Sequence, residues 1–181
     1  MHHTFKLLSL LSISLATPVF AGSLTLSSND ITQGEFMAKA QEFNGFGCSG
    51  GDLSPHLQWE NAPQGTKSFA ITAYDPDAPT GRLVALANCE YTCECKRIRK
   101  RDTTINNAPT GSTQINNDYG SRGFGGACPP VDHGVHHYRF TIHALSVEKL
   151  ELPEDASGAL AGYMINAHTI ESSTIESLYK R

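Results

Sequence analysis

Between Tyr138 and Leu145 apolar and polar side chains alternate without a break. Tyr138, Phe140, Ile142 and Ala144 fall on one side of the chain, and Arg139, Thr141 and His143 on the other. A period of two marks a strand with one buried face, whereas a 3.6-residue helical turn would scatter the same residues around its circumference. A second run has the same character. Phe69, Ile71 and Ala73 alternate with Ala70, Thr72 and Tyr74 until Asp75-Pro76-Asp77-Ala78-Pro79 stops the strand.

Weaker elements fill in the plan. Ser23–Leu26, Ser54–Trp59 and Ile170–Tyr179 read as extended, and the apolar run Leu83–Ala87 as a short buried strand. Asn29 to Gly51 reads as a long connection. One helix is expected, with an acidic start at Glu154-Asp155-Ala156 and a face formed by Leu160, Tyr163, Met164 and Ala167; Gly158 and Gly162 weaken it. Several strands joined by Gly- and Pro-rich loops, with one late helix, predict a mostly β domain carrying a peripheral C-terminal helix.

Residues 1–21 read as a leader rather than as fold. Lys6 precedes an apolar run from Leu7 to Ala16, Thr17-Pro18 breaks it, and Val19-Phe20-Ala21 has the small-residue pattern of a cleavage site. The run is too short to span a bilayer, and nothing later is long and apolar enough to do so. The expectation is a periplasmic or secreted protein, with residues 22–181 as a single domain. Export permits disulfides. Of the five cysteines, Cys48 and Cys128 lie in Gly-rich loops and are the expected pair. Cys89, Cys93 and Cys95 form a CEYTCEC cluster that lacks zinc-ligand spacing, so no metal or other cofactor is expected. With 14 Lys+Arg against 18 Asp+Glu there is no general attraction to nucleic acid. The basic run from Lys96 to Arg101 has no aromatic platforms to change that.

Three loop clusters carry polar chemistry: Asp75-Pro76-Asp77-Ala78-Pro79, the stretch from Asn117-Asp118-Tyr119-Gly120 to Gly125-Gly126-Ala127-Cys128-Pro129-Pro130, and His136-His137-Tyr138. Singly each has an ordinary structural reading, as a turn, a flexible loop and a strand start. Together they resemble the signature regions of the phosphatidylethanolamine-binding protein family, in its bacterial, Raf kinase inhibitor-like branch. FNGFGCSGGDLSPHLQW is typical of that branch as well. The resemblance runs from about Leu24 to Gly81 and again from about Pro109 to the C-terminus. It implies an antiparallel β-sandwich with a small pocket for phosphate, phosphoryl or acetate-like anions. It also implies that Asp75, Asp77, Pro129, Pro130, His136 and Tyr138 line the pocket. Asp75 would orient the histidine rather than touch the anion, and exposed glycine N–H groups would add donors.

The family has a further pocket histidine in a Trp-Trp-His-Trp strand just after the position of Gly81. This chain reads Leu83-Val84-Ala85-Leu86 there, with no histidine. Codons ending TG, then GTG, GCA and CTG for these four, followed by the G of Ala87, read Trp-Trp-His-Trp when shifted by one base. The next residues allow the family's Val-Asn-Ile-Pro continuation in the same shifted frame. Residues 82–101 are therefore expected to be an aberrant segment translated from a displaced frame, with a strand too small for its site and a damaged pocket.

The function expected is binding of a small anionic or phosphoryl ligand. The alternative is a protein-interaction module, an inhibitor of a kinase or protease, with a protein partner. An enzyme ranks third, because no Ser or Cys nucleophile lies in a recognisable elbow. The coding DNA tests the displaced frame: GTG GCA is expected for Val84-Ala85, and any other codon pair there excludes it.

Overall fold

The computed structural model describes residues 22–79 and 112–181 in full and, between them, the backbone of two strands at 83–90 and 97–98. The leader at 1–21, the side chains of the cysteine cluster and most of the 82–101 segment lie outside the described residues.

Alternation builds the main sheet. Strands β1 (Thr25–Ser27), β2 (Asn44–Gly45), β3 (Cys48–Ser49), β4 (Leu57–Glu60), β5 (Ser68–Tyr74), β6 (Leu83–Glu90), β7 (Arg97–Ile98), β8 (Thr113–Gln114), β9 (His136–Leu145) and β10 (Thr169–Tyr179) accompany one α-helix, α1 (Gly158–His168). The order in the five-stranded sheet is β10-β9-β5-β6-β8; β1-β4-β7 form a second sheet, and β2-β3 a hairpin. All strand pairs are antiparallel. The fold is a mostly β, antiparallel sandwich.

Register sorts the side chains into two cores. Phe69 pairs with Ala144, Ile71 with Ile142 and Ala73 with Phe140. Their common face packs with Leu57 and Trp59 of the small sheet, and the Trp59 and Phe69 rings lie 5.3 Å apart. The opposite face of the same strands supplies Ala70 and Leu145 to a second cluster with Ile115, Leu150, Ala156, Ala161 and Ile165. Helix α1 lies over this outer face.

The helix differs from its sequence reading. It begins at Gly158, where the Ser157 hydroxyl accepts from the Leu160 N–H at 3.2 Å, and Glu154 and Asp155 belong to the preceding turn. Its buried residues are Ala161 and Ile165; Tyr163 is 70% exposed, and Leu160 and Ala167 also face outward. Of the expected face only Met164 packs against the second core. Residues 29–51 are also more ordered than a long connection. They hold the β2-β3 hairpin and one turn of 3-10 helix (Lys39–Gln41). Gly34 and Met37 N–H groups donate to Glu176 and Leu178 carbonyls at 2.8 Å, which covers the outer edge of β10.

His143, on the outer face of β9, contacts the Thr72 and Thr169 hydroxyls through its two ring nitrogens at 3.3 and 3.4 Å. Burial lowers its pKa to about 4. The unfolded chain therefore takes up a proton that the folded one refuses, so this ring's contribution is intact above about pH 6.5 and is lost as pH falls toward 4. Urea melts of His143→Gln are expected to lose less stability than the parent between pH 6.5 and 4, by about 2–3 kcal/mol.

Candidate functional site

Because β5 runs antiparallel to β9 with Tyr74 opposite Arg139, the chain leaving β5 emerges beside the start of β9. Asp75 and His136 meet there. Both are buried, at 4% and 1% exposure, and Asp75 Oδ2 lies 2.8 Å from His136 Nδ1. Asp75 Oδ1 accepts the Asp77 N–H at 3.0 Å, which folds the Asp-Pro-Asp turn over its own carboxylate. A buried carboxylate requires such partners. The ring nitrogen facing it is the natural N–H donor, so Nε2 is left as the working atom of His136.

Tyr138 lies beneath, with its ring 6.4 Å from that of His136. Burial, the negative charge of Asp75 and a hydrogen bond to it raise the phenol pKa, so Tyr138 stays protonated. On the other side, His133 Nδ1 lies 2.8 Å from His136 Nε2, and His133 itself is exposed. Asp75, His136 and His133 thus form one continuous hydrogen-bonded row. His133 escaped the sequence reading. The available signal was a second histidine three residues before His136, in a turn where its N–H donates to the Pro130 carbonyl.

Not every expected residue joins this row. Asp77 Oδ2 accepts both the backbone N–H and Nδ1 of His137, at 2.8 and 2.7 Å, on the exposed side. Those bonds hold its carboxyl below the usual range. Pro129 is fully buried, whereas Pro130 is exposed.

The second wall is the Gly-rich stretch. Cys48 and Cys128 are disulfide-bonded, joining β3 to the loop before β9. Arg181 bridges the same two loops, donating to the Pro129 carbonyl at 2.9 Å and the Gly47 carbonyl at 2.6 Å. Tyr119 stacks on Phe43, with centroids 4.1 Å apart, and donates to the Gly126 carbonyl at 3.1 Å. The glycines serve chain-to-chain packing. A Cβ on Gly125 would lie 2.5 Å from the Tyr119 ring, and one on Gly126 2.4 Å from the Gln41 carbonyl oxygen. The Gly126 N–H is already taken by Asp52 at 2.7 Å, so it is no ligand donor as expected from the sequence. Among the described residues no group of three or more His, Cys, Asp and Glu side chains is arranged to hold a metal ion.

A small antiparallel sandwich with a buried aspartate–histidine pair at the end of its central strands defines a class of β-sandwich proteins. The profile of the phosphatidylethanolamine-binding protein family matches residues 27–180, and the chain belongs to that family. It is 44% identical over 165 residues to the UPF0098 protein YbcL of Escherichia coli K12, covering 88% of this chain and 89% of that one. To YbhB of the same organism it is 36% identical over 161 residues, covering 86% and 99%. The crystal structure of E. coli YbcL, described as a new member of the mammalian PEBP family, superposes with a TM-score of 0.83 at 41% identity, covering 88% of this chain and 99% of that one.

Two glycines separate packing from propensity. Gly126→Ala is expected to lower stability by about 1–3 kcal/mol, because backbone surrounds the added carbon. Gly162→Ala, with nothing within 4 Å, is expected to raise it by about 0.5–1 kcal/mol. Paired urea melts read both.

Proposed function

We propose that this chain is an exported binding protein whose pocket at the start of β9 holds a small anion, phosphoryl or carboxylate, without reacting with it. One observation carries the reading: His136 is buried, oriented by Asp75 through Nδ1, and aims Nε2 away from that carboxylate. With a proton on each nitrogen, the ring donates Nε2–H to an anionic oxygen while Asp75 neutralises it from behind. The carboxylate then strengthens the donor instead of repelling the ligand.

Among the described residues the two candidate reactive groups beside the site are committed, which supports binding over catalysis. Cys128 is tied up with Cys48, and Tyr138 is held as a phenol. The disulfide supports a periplasmic or secreted location, as does the apolar run before Gly22. A protein-interaction role draws on a different feature: Phe46, Val131 and Val135 are 74%, 63% and 40% exposed on the two loops that the disulfide links.

Calorimetric titration with inorganic phosphate tests the pocket. His136→Gln is expected to weaken binding at least tenfold, and Asp75→Asn, which keeps an acceptor for Nδ1–H, by about 10–100-fold. Unchanged affinity in both variants, with melting curves like the parent's, rejects the anion reading.

A further inference from the structure

The row Asp75–His136–His133 raises a question that the anion reading leaves open. His136 Nε2 is the atom that would meet an anion, yet in this structure the His133 ring lies against it at 2.8 Å. A single ring nitrogen makes one good in-plane hydrogen bond, so His133 and an anionic oxygen compete for the same site.

The allowed proton arrangements follow from the geometry. With Nδ1–H of His136 committed to Asp75, the His133–His136 edge holds when one proton lies between the two nitrogens. That proton belongs either to His133 Nδ1, with His136 neutral and His133 neutral or cationic, or to His136 Nε2, with His136 cationic and His133 neutral. When both rings are cationic, two N–H groups face each other and the contact must break. His133 is exposed in a loop between Asp132, with φ 62°, and Gly134, with φ 93°, so it has solvent to move into; His136 does not.

We propose that His133 is a displaceable cap on the anion pocket, covering His136 while at most one of the two rings is cationic and becoming a second cationic ligand for the anion when both are. The inference rests on the anion reading of His136. Among the described residues, the charged and titratable groups around the pair are Asp75 and Asp77 after β5, His137 and Tyr138 on β9, Tyr119 from the Gly-rich stretch, Asp132 beside His133, and Arg181 at the Pro129 carbonyl. Asp75 offsets the first positive charge at the site. The second, on His133, remains for the ligand. Histidine is the residue type whose unperturbed proton exchange falls between pH 5 and 8.

Sulfate is the probe, since its charge is constant over that interval. In calorimetric titrations of the full chain, parent sulfate affinity is expected to rise at least tenfold from pH 7.5 to 5.5. His133→Ala removes the competitor and is expected to bind about three- to tenfold more tightly than the parent at pH 7.5, the value of one net hydrogen bond. It should bind more weakly than the parent at pH 5.5, so the two curves cross. Parallel curves, or weaker binding by His133→Ala at both pH values, overturn the cap. Imidazole nitrogen NMR of the ligand-free protein separates this failure from failure of the anion reading. The His136 Nε2 resonance should shift in His133→Ala and, in the parent, on acidification. If sulfate binds neither protein but that shift is seen, the anion reading fails and the cap falls with it as a ligand device. If sulfate binds and the shift is absent, only the cap is overturned.

Discussion

Pairing Tyr74 with Arg139 leaves Asp75 just beyond the end of β5 and His136 at the start of β9, so their 2.8 Å contact follows from strand register rather than from loop structure. A slip of one residue would turn Tyr138, Phe140, Ile142 and Ala144 to the outer face and bring Arg139, Thr141 and His143 into the core between the sheets. Burial of the first four sets the register, and the register sets the site. Three of these four, Phe140, Ile142 and Ala144, are apolar, so the polar pair is positioned largely by strand burial.

The facing wall is held by covalent and charged ties instead of by strand pairing. The Cys48–Cys128 bond closes a sequence separation of 80 residues, a constraint on the unfolded chain of about 4–5 kcal/mol by loop entropy. Close to it, Glu42 is a second buried carboxylate. Its two oxygens accept the Ser49 N–H, at 2.7 Å, and the Tyr179 hydroxyl, and these bonds keep its pKa low despite burial. Each of Asp75 and Glu42 is therefore a buried acid with its hydrogen bonds provided by neighbours across the fold, and neither is left as an unpaired buried charge.

The sequence displayed whatever depends on period and on chain order. Two alternating strands, the stop at Asp75, the Cys48–Cys128 pair and a histidine at the start of β9 all follow from local pattern, motif or loop chemistry. What it concealed depends on packing across the fold. Asp77 differs from Asp75 only in lying two residues further round a turn, which carries it to His137 on the exposed side. The helix hides Ala161 and Ile165 in a cluster with Ala70, Leu145 and Ile115, a fact invisible to a count of bulky residues. His133 sits in a turn with no periodicity at all, and only its contact with His136 marks it.

The remaining tension in the fold is polar. Among the described residues, Gln41, Trp59 and Gln114 bury side-chain polar atoms with no hydrogen-bond partner, and each such atom costs about 1–3 kcal/mol. Their placement is uneven. Gln114 lies on β8 opposite Ala87 of β6, and Trp59 on β4, the strand that pairs with β7. Both β6 and β7 come from residues 82–101, the stretch whose expected reading frame differs from the rest. The backbone of β6 still completes the five-stranded sheet, since ladder hydrogen bonds do not depend on side-chain identity. Side-chain partners do depend on it. Trp59 and Gln114 both lie on strands that pair with this stretch.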